Sequence, residues 1–218
     1  MKDIKGIKCY SPIEEKINIY SHAIGFILSL VALVLLMTHA SLHGNIWHII
    51  SFSIFGVSLV LLYVASTCYH HAQKPEFRSR LRIIDHASIY ILIAGTYTPF
   101  TLVTLKGPIG WVIFCITWGL ALTVIILKLF FTGRYKLIST LVYVFMGWVI
   151  IFAIKPLIHN LPREGLLWLV AGGMAYTIGA ILYMIKKVKF NHAIFHLFVF
   201  IGSASHFVAV YFYVLPSE

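Results

Sequence analysis

His192 and His196 stand four residues apart in Asn191–His206, a run built otherwise almost entirely of Ala, Ile, Phe, Leu, Val, Gly and Ser. On a helix that spacing leaves two side chains about 40° apart on one face, one turn above the other. Two imidazoles so placed can reach one metal ion. His70, at the end of an earlier apolar run, offers a third neutral nitrogen. Three protein ligands and an open position are the pattern of a catalytic zinc site, whereas structural sites close the fourth position. Asp85 is then placed to bond, or deprotonate, a water activated at that position. Ser66, one turn before His70 on the same face, would orient the water or donate to an oxyanion. Imidazole alone does not select zinc among divalent ions. Each residue also has a plainer reading. The histidines could bond between helices, His70 with His71 could simply end one, and Asp85 could be a helix N-terminal charge. Glu14 and Glu15 read better as first-turn acids of the first helix than as catalytic groups.

The elements that must position these residues are membrane spans. The chain has 218 residues, 60% of them hydrophobic and 11% charged, with a mean hydropathy of +0.92. That composition excludes an ordinary soluble domain. Apolar runs over about 17–38, 47–70, 83–104, 109–131, 137–157, 165–185 and 192–214 are each near the ~20 residues a helix needs to cross ~30 Å of hydrocarbon. The sequence therefore predicts an all-α integral membrane protein, a bundle of seven transmembrane helices. A polar segment, 1–16, precedes the seven-helix domain, 17–214. The net charge of +10 does not point to nucleic acid, because the cations sit in short loops. Of 17 Lys and Arg, fourteen fall on the N-terminal side of the bundle, Lys2, Lys5, Lys8, Arg134 and Lys186 among them; Lys106, Lys155 and Arg163 fall on the other. By the positive-inside rule the N-terminus is cytoplasmic and the C-terminus outside. Cys9, Cys68 and Cys115 form no C-x-x-C and no disulfide framework.

With that orientation Ser66, His70, Asp85, His86, His192, His196, Glu15, Asn18 and His22 all fall within about two turns of the cytoplasmic surface, brought there by four helices. Ionisable groups at membrane depth face a cavity, a partner or a metal. His206 lies ten residues beyond His196, ~15 Å by helix rise, too far for the same ion. His39, His43, His48 and His159 gather at the opposite ends without a carboxylate inside the membrane. Pro99 should break a backbone bond and kink the third span, with Gly95 easing the bend. Ala171, Gly172, Gly173, Ala175 and Gly179 should let the sixth span pack closely.

Four motifs carry a family resemblance. They are E-E-K-I-N-I-Y-S-H at Glu14–His22, S-T-C-Y-H at Ser66–His70, D-H-A-S-I-Y-I-L-I-A-G-T-Y-T-P-F at Asp85–Phe100 and H-A-I-F-H at His192–His196. In this order, over Glu14 to Tyr213, the chain resembles the bacterial hemolysin III group of the progestin and adipoQ receptor family, which includes the adiponectin receptors. The resemblance implies a seven-helix fold with a cytoplasmic N-terminus. It implies Zn2+ held by His70, His192 and His196, with Asp85 and Ser66 around its water. It also suggests kinship with membrane-embedded, metal-dependent amide hydrolases such as alkaline ceramidases. The chain lacks the receptors' long N-terminal region, which argues against a hormone-like ligand.

The leading expectation is a zinc-dependent hydrolase of the bacterial inner membrane that cleaves an amide or ester in a membrane lipid and serves membrane homeostasis. Two other classes remain: a membrane sensor in which zinc is structural, and a pore-forming cytolysin. Loss of turnover with zinc retained in Asp85→Asn separates the first from the second. Liposome leakage that survives mutation of His192 and His196 marks the third.

Overall fold

The structure, a computed structural model, describes residues 10–131, 136–185 and 187–215. Lys2, Lys5, Lys8, Cys9, Arg134 and Lys186, used in the charge and cysteine arguments, lie outside the described residues. The helices are α1 (Pro12–His43), α2 (Ile46–His71), α3 (Pro75–Pro99), α4 (Gly107–Phe131), α5 (Lys136–Gly147), α6 (Ile154–Asn160), α7 (Arg163–Met184) and α8 (Asn191–Ala209). A π turn, Phe100–Thr104, extends α3, another, Val210–Val214, extends α8, and a 3-10 stretch, Val149–Ala153, joins α5 to α6. Among the described residues seven helical segments are long and apolar enough to span a membrane. Large apolar side chains such as Ile27, Val31, Val34, Leu122, Ile126 and Ile181 are exposed around the bundle, as a surface solvated by lipid tails requires.

Two helix starts follow first-turn chemistry, a Ser cap or a proline at the first position, rather than hydropathy. α1 begins at Pro12, inside the polar segment, because Pro12 suits the first turn and Ser11 Oγ accepts from Glu14 N at 3.2 Å. α3 begins at Pro75, well before the apolar run at 83. That added length carries Arg78 back toward α1. Neither extension is visible to an apolar window, because both turns are polar.

The third span runs through Pro99 and then widens into its π turn. Pro99 has no N–H to give Gly95 O, and a wider turn is one way a helix absorbs that loss. Thr98 and Thr101 hydroxyls back-bond to Ala94 O and Tyr97 O at 2.9 and 3.0 Å. Gly95 serves close approach: a Cβ there would strike Ser58 of α2. The small residues of α7 pack as expected. A Cβ at Gly172 would come within 2.7 Å of the His206 ring, and one at Gly179 within 2.6 Å of Phe198 Cβ.

The fifth span is not one helix. α5 ends at Gly147 and the chain passes through a 3-10 stretch before α6. The Tyr97 hydroxyl of α3 donates to Gly147 O at 2.8 Å and accepts from Ile150 N at 3.0 Å. One phenol thus satisfies a carbonyl and an amide left over by the break. At the far end of the bundle, His39 Nε2 donates to Leu215 O at 2.7 Å, tying α1 to the end of the last span.

Candidate metal centre

The site forms where α1, α2, α3 and α8 meet at the N-terminal end of the bundle. α2 delivers His70 in its last turn, and α8 delivers His192 and His196 in its first two. The start of α8 is fixed by Phe190, which takes a left-handed conformation at φ 58°. Asn191 Nδ2 donates to Tyr183 O at 2.9 Å, anchoring the new helix to the end of α7.

His192 Nε2 lies 3.0 Å from His70 Nε2 and 3.1 Å from His196 Nε2. All three side chains are buried, and their ligand atoms lie within 4.8 Å of one another. A tetrahedral zinc with Zn–N near 2.0–2.1 Å needs nitrogens about 3.3 Å apart, and the two separations from His192 are within a few tenths of an ångström of that.

The far sides of the rings decide where the protons are. Glu15 Oε2 sits 2.7 Å from His70 Nδ1, and Arg78 pairs with Glu15 Oε1. A carboxylate only accepts, so His70 carries a proton on Nδ1, and in the neutral ring this leaves Nε2 bare toward the cluster. Ser21 Oγ donates to Asn18 O at 3.1 Å and lies 3.3 Å from His196 Nδ1. The hydroxyl proton is committed to Asn18, so His196 Nδ1 donates to Oγ and its Nε2 is bare as well. Two lone pairs converge on His192 Nε2, which can bring at most one proton. A divalent cation satisfies all three nitrogens, and the donor set fits one.

Further rings brace the cluster. His22 stacks on His196 with centroids 3.6 Å apart, and Tyr63 meets His22 edge-on at 5.1 Å. Among the described residues neither His22 nitrogen has a hydrogen-bond partner. Tyr10 stacks on His192 at 4.7 Å, outside the spans. Burial, helped by Tyr183 and Tyr69, pushes its hydroxyl well above the usual 10.

Ser66 and Asp85 are buried and line one cavity with His22, His192 and His196. They do not belong to the nitrogen cluster. Asp85 Oδ2 lies 3.2 Å from His86 Nδ1. The cavity has a volume of about 170 Å³. Its walls are apolar, including Ile89, Ile93 and Leu169, and it reaches as far as His206. Ile151 of the fifth span and Val170 of the sixth line it and are also partly exposed. His206 lies apart from the trio, against Tyr176 and Gly172.

Sequence reasoning brought His70, His192 and His196 together and missed what holds them. Glu15, read as a first-turn acid, is the carboxylate behind His70. Its signal was the stripe Glu15, Asn18, His22, spaced three and four residues on one face of α1. Arg78, Ser21 and Tyr10 had no such signal, because their partners lie on other elements.

Fold and site together define a multi-pass membrane protein with a buried three-histidine cluster able to hold a metal. The family described as haemolysin-III related matches residues 10–207, and the chain belongs to it. It is 51% identical over 204 residues to Hemolysin-3 of Bacillus cereus, covering 94% of this chain and 93% of that protein. It is 49% identical over 200 residues to a Hemolysin-3 homolog of Bacillus subtilis (strain 168), covering 92% and 94%. It is 28% identical over 217 residues to the human monocyte to macrophage differentiation factor, covering 96% and 87%. No solved structure matches the chain.

Proposed function

We propose that this protein is a zinc-dependent hydrolase of the bacterial inner membrane, with a cytoplasmic N-terminus and an outer C-terminus, acting on an amide or ester bond of a membrane lipid. The observation that carries the reading is the convergence of three Nε2 atoms, two of them deprotonated by partners on α1. Zinc bound there would polarise a carbonyl and acidify water toward neutral pH. Asp85 takes the proton of the attacking water at a carboxylate oxygen and returns it to the leaving nitrogen or oxygen. Ser66 donates a hydrogen bond to the developing oxyanion. The apolar slot holds the acyl chain, which enters sideways and never leaves hydrocarbon.

Elemental analysis of the purified protein tests the metal, with His192→Ala beside wild type. One zinc per chain that disappears in the variant supports the site; no metal in either sinks it. Release of fatty acid from reconstituted lipid, lost in Asp85→Asn with zinc retained, tests the chemistry.

One observation favours a second reading. The cluster ties α1, α2 and α8 together, which also suits a structural metal in a membrane sensor. Chelation would then loosen the bundle and no lipid product would form. The Bacillus relatives' names raise cytolysis as well. That reading requires liposome leakage that persists in His192→Ala and His196→Ala.

A further inference from the structure

The cavity has a second polar station that the metal chemistry leaves unused. Lys128, three residues before the end of α4, lines the cavity and is 7% exposed. A snorkelling lysine carries its ammonium out to the interface. Lys128 instead turns inward and donates to Ser139 Oγ across to α5. Around it stand more hydroxyls. Tyr90 OH donates to Ser139 O at 3.3 Å, and Thr140 Oγ1 and Tyr143 OH are 2.9 Å apart. All five residues line the cavity. Lys128 is the one Lys or Arg among its described lining residues, and the walls beyond it are apolar. Tyr90 follows Asp85 by five residues on α3, about 7.5 Å of helix rise, and both line the same cavity.

An ionised side chain at membrane depth is costly, and such residues mark the path of a charged ligand or its partner. An ammonium is a compact point charge that binds phosphate or carboxylate without demanding a planar fork. Hydroxyls beside it add donors for the remaining anionic oxygens.

We infer that Lys128, with Ser139, Thr140 and Tyr143, is an oxyanion-binding subsite that recognises the charged group of an anionic lipid whose chain lies in the apolar slot. The inference deepens the proposed hydrolase by giving its substrate or product a negative charge, and it rests on that reading only for the word substrate. The oxyanion has two sources, the phosphate of a lipid headgroup and the carboxylate of a free fatty acid.

The test is binding, which needs no turnover. Detergent-purified, zinc-loaded protein is titrated with dioleoyl phosphatidylglycerol, oleate and dioleoyl phosphatidylcholine, and bound lipid is counted by native mass spectrometry. Wild type should retain one anionic molecule more tightly than the neutral lipid. Lys128→Met should weaken that retention by about tenfold, the loss of one charge-assisted bond. Lys128→Arg should keep most of it, and the neutral lipid should not change. Tighter binding of phosphatidylglycerol assigns the site to a headgroup phosphate; tighter binding of oleate assigns it to a carboxylate. Equal retention by wild type and Lys128→Met overturns the inference, as does equal retention of neutral and anionic lipid by wild type. Should Lys128→Met fail to fold, Ser139→Asp sets an internal carboxylate against the ammonium and should likewise expel the anion; retention there overturns the inference too. The hydrolase reading fails separately, by no product release with Lys128-dependent binding intact.

Discussion

Glu15 offers the sharpest test of how the centre is built. Its carboxylate accepts from His70 Nδ1 at 2.7 Å and pairs with Arg78, with its side chain 18% exposed. Removing it leaves the His70 Nδ1–H without its acceptor and frees the ring to turn. A hydrogen bond to a charged group contributes about 1.5–3 kcal/mol; the partial exposure of Glu15 argues for the lower half of that range. Carboxylates behind metal-bound histidines contribute about 10–100-fold in metal affinity, or roughly 1.4–2.7 kcal/mol, which agrees. Glu15→Gln keeps an acceptor oxygen but loses the charge and the pairing with Arg78, so about tenfold weaker zinc binding is expected. Glu15→Ala loses both and should approach about fortyfold, the top of that lower half. The assay is competition for zinc against a chromophoric chelator in detergent, with helical content checked in each variant. Affinity in Glu15→Ala within about twofold of wild type, a difference of only ~0.4 kcal/mol, would refute the assignment of Glu15 as the group that orients His70.

Four further outcomes follow from the same geometry. Zinc at about a thousand times its Kd should add ~4 kcal/mol of stability, seen as a fall in Tm on chelation that His192→Ala abolishes. Gly172→Leu drives a side chain into the His206 ring and should cost at least about 1–3 kcal/mol, lowering the thermal midpoint. Tyr10→Phe should keep the stack on His192 and zinc affinity, while Tyr10→Ala should lose about 0.5–1.5 kcal/mol of ring contact, read by the same chelator competition. Because burial raises the Tyr10 hydroxyl, the folded state favours the neutral phenol. Its contribution to stability is whole below about pH 10, the unfolded value, and is lost as pH climbs toward the higher folded one. Thermal unfolding should show that alkaline loss in wild type and less of it in Tyr10→Phe.

How far the sequence could be read depended on whether a signal was local. The seven spans follow from apolar runs, and the His192–His196 pair from one helical turn. The close packing of α7 was legible in its small residues, with Ala171, Ala175 and Gly179 each four apart, but its partner α8 was not. Helix starts at Pro12 and Pro75 were missed, since their first turns are polar and only capping marks them. Pairs such as Glu15–His70 and Ser21–His196 join residues 55 and 175 positions apart, which no periodicity reports. The break after Gly147 was equally silent: the group that meets its carbonyl and amide is a phenol on another helix.

That break has a consequence for how the protein is made. A helix entering the bilayer by itself must satisfy its own backbone, because lipid tails cannot. The fifth span cannot do so around Gly147 and Ile150, whose carbonyl and amide are met by Tyr97 of α3. Its final shape is therefore conditional on a helix inserted earlier. Before the two meet, the segment must run on as a continuous helix or stay near the interface. The broken form, and with it the part of the cavity wall that Gly147 and Ile150 provide, is completed when the fifth span meets Tyr97 at assembly.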